Sequence, residues 1–147
     1  MRAKLLAIVA VVALASAVAV VAAARSTANG LPSYTNGFQK WPRINERPFR
    51  DRGPLSDAHS GLKNVYASKR KVGSRYPNGT VIVKTIVRPR TRYVGQFAVM
   101  RKIAGRWRFV EYERSSAKAR YTLLAQGQLC VDCHVEAKSN DYVFTKR

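Results

Sequence analysis

Cys130-Val131-Asp132-Cys133-His134 holds both cysteines of the 147-residue chain and one of its two histidines. Cys-x-x-Cys-His is the attachment pattern for c-type haem: each thiol adds across a vinyl group and the adjacent imidazole binds iron. One helical turn sets residues three and four apart on one side, so Cys130, Cys133 and His134 can share a face against a flat macrocycle. Two other chemistries fit a Cys-x-x-Cys pair, a redox disulfide and half of a zinc site. No thioredoxin-like βαβ pattern surrounds the pair, and no second Cys/His cluster is available to complete a zinc site. Covalent haem c, with His134 as the metal ligand, is the expectation.

The N-terminus agrees with that chemistry. Arg2 and Lys4 precede an uncharged run from Leu5 to Ala24, closed by Ala22-Ala23-Ala24. A basic start, an apolar stretch and a small-residue site make a secretory leader. A run of 20 residues is also long enough to span a bilayer as a helix. Its Ala/Val richness and lack of an aromatic belt favour the cleaved signal. Residues 1–24 thus read as a signal peptide or N-terminal anchor, 25–31 as a linker and 32–147 as one domain. Either reading exports the domain to a periplasmic location, with a membrane tether in the second.

The formal charge is +19, from 27 basic and 8 acidic residues. Without Arg2 and Lys4, 25 basic against 8 acidic residues leave +17. Such charge suits an acidic protein partner, an anionic membrane or nucleic acid. Export favours an acidic redox partner and argues against nucleic acid.

The rest of the chain predicts an α+β fold, mainly antiparallel sheet, with an N-terminal helix and a C-terminal helix carrying the haem motif. Ser33 can cap a helix bearing Tyr34, Phe38 and Trp41 at i, i+4 and i+7, weakened by Gly37 and stopped by Pro42. That aromatic stripe reads as packing, in the core or at a haem edge. Residues 42–61 form an irregular basic loop. Strands are predicted over Leu62–Ser68, Thr80–Val87 (after the Pro77-Asn78-Gly79 turn), Tyr93–Ile103 and Trp107–Glu113, the last two joined at Ala104-Gly105. Ser115 or Ser116 is expected to cap a helix through Ala125, stopped by Gly127. Small all-helical c-type electron carriers usually place the haem motif early and a methionine ligand later. Here 13 residues follow His134, none of them Met, and Met100 lies upstream in a strand. An ordinary His/Met carrier is disfavoured.

Side chains alternate along a strand, so Ile82, Lys84 and Ile86 share one face while Val81, Val83 and Val87 share the other. Lys84 is either a solvated lysine protecting a sheet edge or an amine held beside a haem, where desolvation favours its neutral form.

Pro77-Asn78-Gly79-Thr80-Val81-Ile82-Val83-Lys84, Val99-Met100-x-Lys102, Gly105-x-Trp107-x-Phe109, Cys130-x-x-Cys133-His134 and Asp141-x-Val143-Phe144 together resemble the cytochrome P460 family over residues 32–147. That resemblance implies a largely antiparallel sheet, a homodimer and a five-coordinate or weakly six-coordinate haem. It places the thioethers at Cys130 and Cys133, the proximal ligand at His134, and Lys84 where the family cross-links a lysine amine to the porphyrin. Cross-linked members oxidise hydroxylamine. The related cytochromes c′-beta bind nitric oxide and other small gases without that turnover.

Oxidation of hydroxylamine needs a proton acceptor within hydrogen-bond reach of the substrate. Glu111 and Glu113 share a strand face and are candidates, although surface hairpins carry such pairs too. His59 either lines the pocket or is an ordinary loop residue. No spacing links it to the haem motif, which favours the loop.

Overall fold

Five strands pair in their sequence order to make one antiparallel meander: β1 (Leu62–Ala67), β2 (Val81–Val87), β3 (Gln96–Ile103), β4 (Arg106–Glu113) and β5 (Thr122–Gln126). The computed structural model describes residues 26–50 and 59–145. Helix α1 (Gln128–His134) and a 3₁₀ segment (Val135–Asn140) follow the sheet. Among the described residues no helix is long and apolar enough to cross a membrane. The apolar run at 5–24 lies outside them.

The turns behave as their residues dictate. Ala104 and Gly105 both take positive φ, 47° and 77°, the mirror-image turn that matches the twist of a hairpin. The Gly105 N–H donates to Asn78 Oδ1 at 2.7 Å, so this hairpin is tied to the turn that opens β2. The bulkier β-branched, aromatic and methionine residues of β1–β4 supply two apolar faces. One face carries Val65, Ile82, Met100 and Phe109; the other carries Val81, Val83, Phe97 and Val99.

The N-terminal helix is shorter than predicted. Two 3₁₀ turns, Ser33–Thr35 and Phe38–Lys40, stand in its place. Gly37 between them is left-handed, φ 71°, which interrupts the repeating hydrogen bonds of a continuous helix. Tyr34, Phe38 and Trp41 still act together, all packing on the Val81/Val83/Val99 face. Phe38 meets Tyr66 and Phe97 edge-on at 5.4 and 5.3 Å between ring centroids. The stripe is core on the sheet face away from the haem motif.

The helix expected from Ser115 to Ala125 is not formed. Ser116 caps a single turn, its Oγ accepting the Ala119 N–H at 3.2 Å, and the chain then enters β5. Tyr121 drives the change: its ring is buried against Phe97 at 4.8 Å and its hydroxyl donates to the Val94 carbonyl at 2.6 Å. That anchorage sets Thr122–Gln126 alongside β4, and tertiary pairing overrides local propensity. Gly127, φ 80°, therefore opens α1 instead of closing an earlier helix.

Candidate functional site

Antiparallel register brings Val65, Lys84, Ala98, Glu111 and Ala125 onto one rung across all five strands. The neighbouring rung is Ala67, Ile82, Met100 and Phe109. Helix α1 lies over this face, and a largely apolar cavity opens between them. Cys130, Cys133, His134, Lys84, Glu111 and His59 all line it. The residues singled out from the haem motif and from β2 are thus in one place.

The first requirement for a haem is a competent iron ligand. His134 Nδ1 stands 2.7 Å from the Tyr142 carbonyl oxygen. A carbonyl only accepts, so Nδ1 carries the hydrogen and Nε2 keeps its lone pair. Burial pushes the imidazolium down to about 4, against the Tyr142 hydrogen bond and reinforced by the charges of Lys84 and His59. The ring is therefore neutral at neutral pH, the form that ligates metal. Phe109 and Phe144 flank it at 4.6 and 5.2 Å between centroids.

Two successive left-handed residues, Asp141 (φ 55°) and Tyr142 (φ 65°), turn the chain so that this carbonyl faces the imidazole. Non-glycine residues in that region cost roughly 1–2 kcal/mol each, and the Asp141 carboxylate offsets the cost. It accepts from Lys102 Nζ at 2.7 and 3.0 Å and from the Tyr76 N–H at 2.7 Å. Burial alone would raise the Asp141 carboxyl, but these donors prevail and hold it below its ordinary value. Lys102 also lies 5.3 Å from the Trp107 ring centroid. Sequence reading noted Lys102, Trp107 and Asp141 as parts of a pattern; their mutual contact emerges only in the fold.

The second requirement is a pair of thiols. Cys130 and Cys133 are half-buried and not bridged to each other. Burial raises the Cys130 thiol, and the nearby Glu111 carboxylate and Cys133 add to the shift. Among the described residues no group of three or more His, Cys, Asp or Glu is arranged to hold a metal ion by itself. Two thiols, an imidazole with a directed lone pair and an apolar wall facing them fit a haem.

Lys84 is not an edge lysine. β2 is an interior strand, and Lys84 is 6% exposed. Its Nζ lies 5.9 Å from the Phe144 ring centroid. Of the two candidate glutamates, only Glu111 reaches the cavity. Glu113 pairs at the surface with Arg88 Nη2 at 2.7 Å. His59 belongs to the loop before β1 and also lines the cavity, its Nε2 at 3.1 Å from Glu111 Oε1. Gln96 Nε2 donates to the same oxygen. Met100 reaches the cavity wall as well, packed with Ile82 and Phe109.

The family model described as cytochrome P460 matches residues 35–145. No curated protein matches the chain.

Proposed function

The chain belongs to the cytochrome P460 family, which implies a haem cofactor, and we propose that it is an exported c-type haem protein that oxidises hydroxylamine or nitric oxide. The observation that supports this reading is the lining of one cavity by Lys84 and Glu111 together with Cys130, Cys133 and His134. Cys130 and Cys133 would hold the haem through thioethers, and His134 Nε2 would ligate its iron. The haem, when bound, supplies a metal centre that takes a small nitrogenous ligand and accepts its electrons.

The chain's own residues do the remaining work. Tyr142 fixes the His134 tautomer. Val65, Ile82, Phe109 and Val143 line the cavity with apolar side chains and keep bulk water from it, which strengthens polar contacts there. Glu111 takes the proton that the substrate loses, as a carboxylate in a water-poor pocket. Lys84, which lines the same cavity, is the amine that would form the family's cross-link to the macrocycle. An acidic electron acceptor suits the +17 of residues 25–147, and a homodimer is the expected assembly.

The test is turnover of hydroxylamine with an artificial electron acceptor by the haem-loaded protein, alongside the ferrous spectrum. A Soret band far to the red of ordinary haem c, together with turnover, supports the enzyme. The second reading is a gas-binding cytochrome of the c′-beta type. The apolar wall around the ligand side favours it. An ordinary c-type spectrum with nitric oxide binding and no hydroxylamine oxidation would select it.

A further inference from the structure

Glu111 Oε1 accepts from Gln96 Nε2 of β3 and also stands 3.1 Å from His59 Nε2 in the loop before β1. Among the described residues none donates to Oε2. A carboxylate held by one oxygen is fixed in direction and keeps the other oxygen as an acceptor. Glu111 is 8% exposed, so its water contacts are few and these two partners govern where it points. Facing it around the cavity are Lys84 of β2 and Cys130, Cys133 and His134 of α1.

The chain reaches this arrangement through an unusual approach. Gly61 has φ +144°, and a Cβ there would stand 2.4 Å from the Val87 carbonyl oxygen. Only glycine lets the loop pass so close to the end of β2. That close passage carries His59, two residues earlier, over the sheet to β4. A loop histidine on a solvated surface has no need of such contact.

From this we propose that His59 is a positioning residue. With Gln96 it engages Glu111 Oε1, so that Oε2 is presented to the cavity as the base for protic ligands. The ligand class is that of small weak acids bearing a proton on or beside the ligating atom, such as hydroxylamine or hydrogen cyanide. In the haem-loaded protein Oε2 would take the proton of such a ligand as its ligating atom took the open position, with no change of oxidation state. Aprotic gases such as carbon monoxide need no such base. The inference rests on the reading that the cavity holds a haem with a ligand position open.

The test uses the haem-loaded protein and its His59→Leu, His59→Gln and Glu111→Gln variants. Binding of hydrogen cyanide to the ferric form and of carbon monoxide to the ferrous form is followed by stopped-flow absorbance at neutral pH. Expected is a slowing of cyanide association by about tenfold or more in His59→Leu and Glu111→Gln, the scale of a lost charge-assisted hydrogen bond. Carbon monoxide rates should stay within about twofold of the unchanged protein. His59→Gln, which keeps a donor, should recover most of the loss. Unchanged cyanide binding in His59→Leu, with Glu111→Gln slowed, overturns the role of His59 and leaves Glu111 acting alone. Equal slowing of cyanide and carbon monoxide overturns it too, because the change would then be one of general access. Failure of the unchanged protein to bind carbon monoxide at all removes the open haem position itself, and the inference falls with it.

Discussion

Lys84 and Glu111 stand on the same rung of the sheet, on either side of Ala98. Two strand spacings separate them, about 9–10 Å between backbones, and the methyl of Ala98 leaves the space between open. An amine and a carboxylate therefore border one cavity without filling it, and α1 places its two thiols and imidazole over them. Replacing Lys84 by Leu keeps the strand and its burial while removing the amine. The haem should still be bound, with an ordinary c-type spectrum and nitric oxide binding retained, and hydroxylamine oxidation should be lost. In the unchanged protein, tryptic digestion should yield one haem peptide joining the Lys84 segment to Cys130–His134. Separate peptides, with spectrum and activity unaltered in Lys84→Leu, would remove Lys84 from the chemistry.

How far the sequence reaches depends on how local each signal is. The spacing of Cys130, Cys133 and His134 and the alternation around Lys84 are short-range, and in the fold all four line one cavity, with Lys84 buried on an interior strand. Ala104-Gly105 was legible for the same reason, through Gly105, which takes a positive φ freely, whereas Ala104 takes one at a steric cost. The helix expected over 115–125 failed because what decides it is the docking of Tyr121, just before β5, on Phe97 of β3, a contact between residues distant in sequence. His59 was harder still. Its partner lies more than fifty residues away, three strands on, and the loop that carries His59 has no period; Gly61 was the one local hint, and its meaning depends on where β2 ends.

Covalent attachment is tested by replacing both cysteines. Cys130→Ala with Cys133→Ala leaves the His134 ligand and the apolar wall, so haem should still associate, now reversibly. Acid–acetone extraction should release it from the double variant and leave it on the unchanged protein made with haem-attachment machinery. An intact mass showing a Cys130–Cys133 disulfide and no haem would defeat the attachment.

Met100 tests the axial ligand. Its thioether reaches the cavity wall beside Ile82 and Phe109, so it is the group that would restore a His/Met electron carrier. Met100→Leu conserves volume and should cost less than about 1.5 kcal/mol in stability. With His134 the single strong protein ligand, the resting ferric spectrum should be high-spin or mixed-spin and nearly unchanged by the substitution. A low-spin spectrum abolished in Met100→Leu would mean that Met100 binds the iron.

Asp141 supports His134 without lining the cavity. Its carboxylate is 7% exposed, paired with Lys102 and bonded to the Tyr76 N–H, and it fixes the turn whose next carbonyl holds His134 Nδ1. Asp141→Asn removes the charge but leaves Lys102 buried, a loss of about 3–5 kcal/mol for a broken buried pair. Because the folded carboxyl is held below its ordinary value of 3.8, the unfolded chain binds the proton more readily than the native one. The stabilisation is thus complete above that ordinary value and disappears as pH falls through the lower folded value. Asp141→Asn should melt well below the unchanged protein at neutral pH, and the gap should narrow in acid. The double substitution Asp141→Asn with Lys102→Met should recover part of the loss, because no buried ammonium is left behind. In the haem-loaded protein, the single variant should also alter the resonance Raman band of the iron–histidine stretch, through a disturbed Tyr142 carbonyl. Thermal melts from pH 7 to pH 3, read beside that band, would decide it. A destabilised protein with an unaltered iron–histidine band would confine Asp141 to the fold.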